Sequence, residues 1–288
     1  MFKFFSILTN RIFTGSTVFD FCIIFAVTFI AAYLFLIAPR IPRRKETASF
    51  CNRCYAHRGL FDHENGIPEN SLPAFAAAVQ SGYGIELDVQ ITKDGKIVVF
   101  HDSTLSRMCK TDARVRSKTY QELSELELLE TGNRIPLLTE VLELVDGKVP
   151  LLIEIKLKVA STRTCILLNE ALMNYKGPYC IESFNILAVR WYKRNRPDII
   201  RGQLSANLTS SPSKGKFFQY FLVKHLLTNF ITRPDFISYR YQDAGNLSFL
   251  LNKYLFRAAT MAWTVNSEEA CARCIGRFDS LIFEGFRA

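Results

Sequence analysis

Short apolar segments alternate with helix-like stretches along most of the chain, from about residue 53 onward. The first segment, 55–59, is followed by SLPAFAAAVQSG, which is typical of a helix with a proline in its first turn and a glycine at its end. Seven further segments resemble buried strands and lie at 84–90, 151–156, 179–184, 199–204, 235–239, 258–265 and 280–285. Eight strand–helix units in about 235 residues predict an α/β fold, a closed parallel TIM (β/α)8 barrel.

One additional strand-like segment, KIVVFHD at 96–102, follows the second predicted strand after the short turn Thr-Lys-Asp-Gly. This turn is too short for a parallel crossover and indicates an antiparallel hairpin inserted after strand 2. If Thr92 faces Lys96, the pairing brings His101 opposite Leu87. The hairpin is therefore predicted to fold a histidine back onto a strand end that carries two carboxylates.

Polar side chains are concentrated at the carboxyl ends of the first three predicted barrel strands and of the hairpin. In chain order they are His57, Arg58, Glu86, Asp88, His101, Asp102, Glu154 and Lys156. A single charge on a buried strand would indicate a structural ion pair, because an unpaired one costs several kcal/mol. Four strand ends that all carry polar side chains favour a functional site, since catalytic groups of barrel enzymes collect at this face.

Three of these residues are carboxylates that converge. Glu86 and Asp88 are two residues apart and point to the same side of their strand, as do Glu154 and Lys156. An oxygen-rich set suits a hard divalent cation, Ca²⁺ or Mg²⁺, whereas zinc favours nitrogen or sulfur ligands. The sequence therefore predicts a metal site at Glu86, Asp88 and Glu154.

Taken together, the motifs resemble the glycerophosphodiester phosphodiesterase family over roughly residues 53–288. They are AHRG at 56–59, PENS at 68–71, ELDV at 86–89, TKDG at 92–95, VVFHD at 98–102, IPLLTEVL at 135–142, IEIK at 153–156, ESF at 182–184 and WTVN at 263–266. Their order along the chain is far more specific than any one motif.

The resemblance implies a barrel that hydrolyses a glycerophosphodiester to glycerol 3-phosphate and an alcohol with a divalent metal, as part of lipid metabolism. It implies these roles: Glu86, Asp88 and Glu154 as metal ligands, His57 and His101 as general acid and base, Arg58 and Lys156 facing the phosphate, and Glu69 and Asn70 at the rim. Such roles suit an anionic substrate, because its attack needs charge neutralisation and proton transfer near neutral pH.

Three other strand-end residues are less specific. Phe184 and Trp263 are predicted to line the substrate pocket, with ordinary core packing as the alternative. The last strand ends in Phe283-Glu284-Gly285, where the family commonly has a Thr-Asp pair. Glu284 would replace that acid with a longer side chain.

The segment FCIIFAVTFIAAYLFLIA at 21–38 contains no charge. With the residues before it, it reaches the ~20 residues of a transmembrane helix, about 18–38; a core helix and a cleaved signal peptide are the alternatives.

The predicted domains are thus an anchor with a basic linker, 1–46, and a barrel, 47–288. Arg40, Arg43, Arg44 and Lys45 follow the helix, while Lys3 and Arg11 precede it. The positive-inside rule then predicts a single-pass protein of the cell membrane with a cytoplasmic barrel.

The formal net charge of +9 does not indicate a nucleic-acid partner. Residues 1–50 contain six basic and two acidic residues, so +4 of the charge belongs to the anchor segment. No base-stacking or basic-helix motif appears elsewhere. The predicted partners are a small-molecule or lipid phosphodiester and the membrane; the oligomeric state is left open.

Two cysteine pairs have metal-ligand spacing, Cys51 with Cys54 and Cys271 with Cys274. Both should fall at the bottom of the barrel, because strand eight neighbours strand one. A structural zinc site, a pair of disulfides and ordinary burial are the three interpretations.

The segment 208–232 begins as a polar loop and becomes apolar and lightly basic. It is interpreted as a barrel helix with an extended loop. In the alternative, Phe217, Phe218, Tyr220, Phe221 and Leu222 touch a bilayer beside Lys214, Lys216 and Lys224. That alternative favours a lysophospholipase D-type hydrolase of membrane lysophospholipids. A catalytically silent, membrane-tethered binding module is the alternative from a different class.

Overall fold

Eight parallel strands close into a barrel in the computed structural model, which describes residues 17–40, 44–157, 161–210 and 215–288. The strands are β1 Cys54–His57, β2 Gly84–Ile91, β3 Ile97–Val99, β4 Leu151–Ile155, β5 Tyr179–Ser183, β6 Arg201–Ser205, β7 Phe236–Arg240, β8 Ala259–Val265 and β9 Ser280–Phe283. Strand β3 is antiparallel to β2, the other eight are parallel, and β9 pairs with β1 to close the ring. The predicted TIM barrel is confirmed.

The helices connect these strands and cover the outside of the barrel. They are α1 Thr17–Ile37, α2 Arg44–Thr47, α3 Leu72–Gln80, α4 Ser106–Cys109, α5 Tyr120–Ser124, α6 Leu138–Val145, α7 Arg163–Ala171, α8 Ile186–Asn195, α9 Phe217–Lys224, α10 Asn229–Thr232, α11 Leu247–Leu250 and α12 Glu268–Cys274. Short 3-10 turns lie at Ala48–Phe50, Val115–Ser117 and Tyr241–Asp243, and a π-helical turn at Leu251–Leu255 extends α11.

The barrel interior has an apolar floor at the amino ends of the strands. Tyr55 and Phe236 pack there in a cluster of buried side chains that includes Leu152, Cys180, Met261 and Ile282. Gly84 lies under Tyr55, where an added Cβ would come within 2.6 Å of the ring. This floor leaves the carboxyl ends of the strands as the level at which polar side chains point inward.

The predicted hairpin is present. Val89 pairs with Val99, and the Thr92 amide donates to the Lys96 carbonyl at 3.0 Å, the register that the sequence indicates. Beyond the last ladder pair, Gln90 Nε2 donates to the carbonyls of Phe100, His101 and Asp102 at 2.6 to 3.2 Å. These bonds hold the end of the hairpin against β2 and so fix the position of His101.

Helix α1 contains the apolar stretch Phe19–Ile37, which has a mean hydropathy of 2.4 and is 6% buried. It is the one helix among the described residues long and apolar enough to cross a membrane, a criterion that core helices and signal sequences also pass. Its exposure argues against a core helix. Lys3, Arg11 and Arg43 of the orientation argument, and Lys214, lie outside the described residues.

Candidate active site

A cavity of about 110 Å³ opens among the carboxyl ends of the strands. Its polar side, called the charged wall below, consists of His57, Arg58, Glu86, His101, Glu154, Lys156 and Glu182. Its apolar wall consists of Phe184, Leu204, Trp263 and Ile282. The structure thus brings most of the predicted site residues to one place, including both aromatic ones.

Three carboxylates form a compact buried cluster. One oxygen each of Glu86, Asp88 and Glu154 lies within 4.8 Å of the others, and Asp88 on β2 is paired in register with Glu154 on β4. Burial raises the pKa of Glu86, and the charges of Asp88 and Glu154 raise it further. Burial also raises the pKa of Glu154. Two carboxyls that resist ionisation because they are buried beside other acids, in an all-oxygen donor set, fit a hard divalent cation.

Two cationic side chains border this cluster. Lys156 Nζ lies 2.9 Å from Asp88 Oδ1 and 2.7 Å from Glu154 Oε2, and Arg58 Nε lies 3.4 Å from Asp88 Oδ2. Burial disfavours the charge of Lys156, but Asp88 and Glu154 outweigh it and raise the pKa of Lys156. Burial alone would raise the pKa of Asp88; Lys156, His101 and Arg58 hold it below its usual range.

The His-Arg-Gly turn explains how Arg58 enters the cavity. Arg58 has a left-handed backbone with φ of 58°, and its amide donates to Glu86 Oε2 at 3.0 Å. Gly59 follows with φ of 82°, and a Cβ there would come within 2.9 Å of the Ala74 backbone. A side chain at Gly59 would push α3 away, so the turn that presents His57 and Arg58 depends on glycine.

His57 has carboxylates on both ring nitrogens. Its Nδ1 lies 2.5 Å from Glu284 Oε2, and its Nε2 lies 3.9 Å from Glu86 Oε2. Glu284, which stands where the family commonly has a Thr-Asp pair, therefore reaches His57 with its longer side chain. The hydrogen bond from His57 lowers the pKa of Glu284, so Glu284 is a stable anion that orients the imidazole ring through Nδ1.

His101 is held in a different environment. Its Nδ1 lies 2.7 Å from Asp102 Oδ1, and Arg107 Nε donates to Asp102 Oδ2 at 2.7 Å. Burial lowers the pKa of His101, although Asp88 opposes the shift. The imidazole is thus favoured in its neutral form, which can accept a proton.

Two rim residues support the site without lining the cavity. Asn70, predicted to contact substrate, is 2% exposed, and its Nδ2 donates to Asp88 Oδ2 at 2.9 Å. Glu69 accepts from Arg58 NH1 at 2.7 Å and from both terminal nitrogens of Arg107 at 2.7 and 2.8 Å. Both residues precede α3 and hold the charged wall from behind.

Sequence reasoning missed Arg107 and Glu182. Arg107 lies in the short helix α4 and joins Glu69 to Asp102, residues 33 apart in the chain. Glu182 lies next to Glu154 in the β4–β5 register and is buried, which together with the charge of Glu154 raises its pKa. The alternation that selected Glu154 would also have selected Glu182.

The apolar wall is built around an aromatic pair. Phe184 and Trp263 meet edge to face, with centroids 5.5 Å apart. The indole Nε1 of Trp263 is buried and has no hydrogen-bond partner among the described residues. This wall therefore offers one unused donor within an apolar surface.

Among the described residues the acidic trio is the one group of potential metal ligands brought together, so the zinc interpretation of the four cysteines finds no support there. Neighbouring strand residues face opposite sides, so Cys54 packs outside the barrel near Cys271, whereas Tyr55 points inside. Burial raises the pKa of Tyr55 and Cys180 on the floor, and Cys51 adds to both shifts, so Cys51 lies near the floor. Burial raises the pKa of Cys54 and Cys274, which fits ordinary packing.

Fold and site together define a class: a (β/α)8 barrel protein with a cluster of carboxylates that could hold a cation at the carboxyl ends of its strands. Residues 57–226 match the sequence profile described as the "Glycerophosphoryl diester phosphodiesterase family". The chain belongs to that family.

Similar proteins agree with this assignment. A curated glycerophosphodiester phosphodiesterase of Caldanaerobacter subterraneus subsp. tengcongensis is 37% identical over 161 residues, 52% of this chain and 65% of the relative. Lysophospholipase D GDPD1 of Homo sapiens is 32% identical over 140 residues, 44% of this chain and 43% of that protein. The chain thus spans less than two thirds of the length of these curated relatives.

A solved structure matches over more of the chain. It is an Oleispira antarctica phosphodiesterase in complex with the product sn-glycerol-3-phosphate, with a TM-score of 0.67 and 25% identity, covering 82% of this chain and 94% of that one.

Proposed function

We propose that the protein is a metal-dependent phosphodiesterase that hydrolyses glycerophosphodiesters to glycerol 3-phosphate and an alcohol. The observation that carries the proposal is the convergence of two histidines, Arg58, Lys156 and a buried carboxylate trio in one cavity. The names of the related proteins support the same activity. We expect the reaction to serve lipid metabolism.

The histidines divide the proton transfers. His101, favoured neutral by burial, accepts a proton from the water whose oxygen forms the new bond to phosphorus. His57, held by Glu284, donates a proton to the alcohol oxygen as its bond to phosphorus breaks. Arg58 and Lys156 stabilise the charge that develops on the phosphoryl oxygens.

Glu86, Asp88 and Glu154 would hold the divalent cation, Ca²⁺ or Mg²⁺, which supplies further charge neutralisation at the phosphate when bound. Asn70 keeps Asp88 in position, because its Nδ2 donates to the Asp88 carboxylate and its Oδ1 accepts from the Asp88 backbone amide. Phe184 and Trp263, which line the cavity, would contact the glycerol or the leaving group.

The test is a substrate panel on the purified full chain, with glycerophosphocholine as the first member, assayed with Mg²⁺, with Ca²⁺ and with EDTA. We expect release of glycerol 3-phosphate and choline only with metal. The His101→Ala variant should lose turnover, whereas His225→Ala, a matched histidine outside the cavity, should keep it. Binding of glycerophosphocholine without turnover would favour the silent binding module.

The anchor assignment is part of the proposal. Exposure of the apolar helix α1 supports residues 1–46 as a membrane anchor with its linker, and 47–288 as the catalytic barrel on the cytoplasmic side. A signal sequence is the competing interpretation. Protease protection of the full chain in sealed membrane vesicles distinguishes the two sides and detects cleavage.

A second candidate is a lysophospholipase D-type activity on membrane lysophospholipids. It is favoured by the exposed aromatic side chains of α9, Phe217 at 56% and Phe218 at 71% exposure, and by the similarity to lysophospholipase D GDPD1. A micellar lysophosphatidylcholine, compared with glycerophosphocholine, separates the two substrates.

A further inference from the structure

Contacts with the side of the barrel fix the direction of the membrane-helix candidate α1. Tyr33 Oη lies 2.8 Å from Ser248 Oγ, in α11, which leaves the carboxyl end of β7. The Arg40 amide donates at 2.9 Å to the carbonyl of Pro234, which lies two residues before the amino end of β7. From Tyr33 to Arg40 the chain therefore runs from the active-site rim of the barrel to the opposite rim.

Further contacts between these two points make the attachment rigid. Asn229 Nδ2 donates to the Ile37 carbonyl at 2.8 Å and lies within 3.5 Å of Asn252 Oδ1 in the middle of the barrel side. The guanidinium of Arg233 lies 4.8 Å from the centroid of the Phe35 ring. Extended backward, the helix axis carries residues 17–32 beyond the active-site rim.

Apart from Asp20 near its outer end, this projecting part carries no charge. Phe21, Phe25, Val27 and Phe29 are 59% to 74% exposed, whereas a helix in water keeps a polar face. Sixteen residues span about 24 Å, most of the ~30 Å hydrocarbon core of a bilayer. The bilayer surface therefore lies within about one helical turn of Tyr33, level with the active-site rim.

Helix α9 lies on the same rim. Ser205 Oγ donates to the Val223 carbonyl at 2.8 Å, and Tyr239 Oη donates to the Lys224 carbonyl at 2.8 Å. Ser205 and Tyr239 lie at the carboxyl ends of β6 and β7. Helix α9 thus lies at the end of the barrel from which α1 projects, at the level of the bilayer surface.

One face of α9 is suited to lipid. Phe217, Phe218 and Phe221, spaced to share a face, are 56%, 71% and 38% exposed. Lys216 precedes them and is exposed, as suits a contact with phosphate headgroups. An apolar face at the end of the barrel from which a membrane helix projects is covered most simply by that same membrane.

We propose that this aromatic face of α9 rests in the headgroup region of the bilayer, so that the active-site mouth opens toward the lipid surface and receives a lipid phosphodiester from it. The orientation follows from α1 and α9 alone; the lipid substrate rests on the proposed function.

Tryptophan quenching by lipids with brominated chains tests the orientation in the full chain, reconstituted in phosphatidylcholine vesicles. Phe218→Trp should be quenched well beyond the parent background of Trp191 and Trp263. Tyr254→Trp is the matched control: Tyr254 is 67% exposed but lies five residues before β8, toward the opposite rim. No added quenching for Phe218→Trp, as when a second copy or another protein covers α9, or equal quenching for both, would overturn the proposal.

Kinetics test the route of the substrate. Phe218→Glu should lower kcat/KM for lysophosphatidylcholine in vesicles by about tenfold and leave glycerophosphocholine hydrolysis unchanged, with Tyr254→Glu altering neither. Equal loss on both substrates, or no loss on either, contradicts delivery from the membrane. A parent chain inactive on every glycerophosphodiester refutes the proposed function instead, and the quenching result then still decides the orientation.

Discussion

The two walls of the cavity are built by different means. On the charged wall, ion pairs and hydrogen bonds join His57, Arg58 and Lys156 to acidic partners at 2.5 to 3.4 Å. The apolar wall has one aromatic contact, Phe184 against Trp263, and an unused indole N–H. One wall therefore holds charges in fixed positions, whereas the other leaves room for a group whose identity can vary.

Chelation should have the largest effect on the charged wall. With EDTA we expect turnover of glycerophosphocholine to fall to background, and Mg²⁺ or Ca²⁺ to restore it, because the carboxylate trio loses its counter-charge. Measuring choline release before and after dialysis checks this. Full activity in chelator would refute the metal site.

Removal of either histidine should have the second-largest effect on turnover. His57→Ala and His101→Ala are each expected to lower kcat by about 10²–10⁴-fold, the usual contribution of a positioned proton donor or acceptor. Calorimetric titration with Mg²⁺ should give near-parent affinity, because neither histidine is assigned as a ligand. A histidine variant with parent kcat would break the acid–base assignment.

Truncation of the apolar wall should act on binding. Phe184→Ala and Trp263→Ala are expected to raise KM by about tenfold or less with kcat largely kept, because apolar packing that is equally strong in the ground and transition states affects binding alone. Phe184→Leu serves as the conservative control. If these variants reduced kcat as the histidine variants do, the two walls would not differ in role.

The smallest expected effect is on the free energy of unfolding, through the pairing of Arg107 with Glu69 and Asp102 behind the charged wall. Burial opposes ionisation of Glu69 and Asp102, but hydrogen bonds from Arg107 lower the pKa of both. Their stabilisation is therefore complete above the ordinary carboxyl values, 4.5 and 3.8, and is lost as pH falls through the lowered folded values. Arg107→Met should cost about 1 kcal/mol at pH 7, discounted because Arg107 is partly exposed.

Urea unfolding of both proteins from pH 7 to pH 3 checks this expectation. The difference in unfolding free energy should shrink toward acid. A difference that is constant across that range would indicate that the packing of the Arg107 stem matters, and not its charge pairing.

The sequence predicted the charged wall better than its surroundings. Strand alternation and hairpin register depend on neighbours in the chain, so Glu86, Asp88 and His101 could be placed from spacing alone. Arg107 could not, because its partners are set by how the loop after β3 folds over the turn before α3. The contact of Tyr33 with Ser248 joins residues 215 apart, and no local pattern encodes such a pair.

Two sequence expectations show the limits of spacing. The cysteine pairs have metal-ligand intervals, yet Cys54 points away from the barrel interior while Cys51 lies near the floor. Asn70 is predicted at the substrate, and its amide lies against Asp88, with a left-handed backbone at φ of 54°. In both cases the direction of a side chain decides its role, and spacing along the chain does not contain that direction.

The contact between His57 and Glu284 joins the first barrel strand to the residue after the last one. During synthesis, His57 emerges from the ribosome more than two hundred residues before its partner. Until β9 pairs with β1, the nascent barrel has two open edges and the contact between His57 and Glu284 is unformed. Closure of the ring and completion of the site are thus one event, so partly made chains should be inactive as well as prone to aggregate.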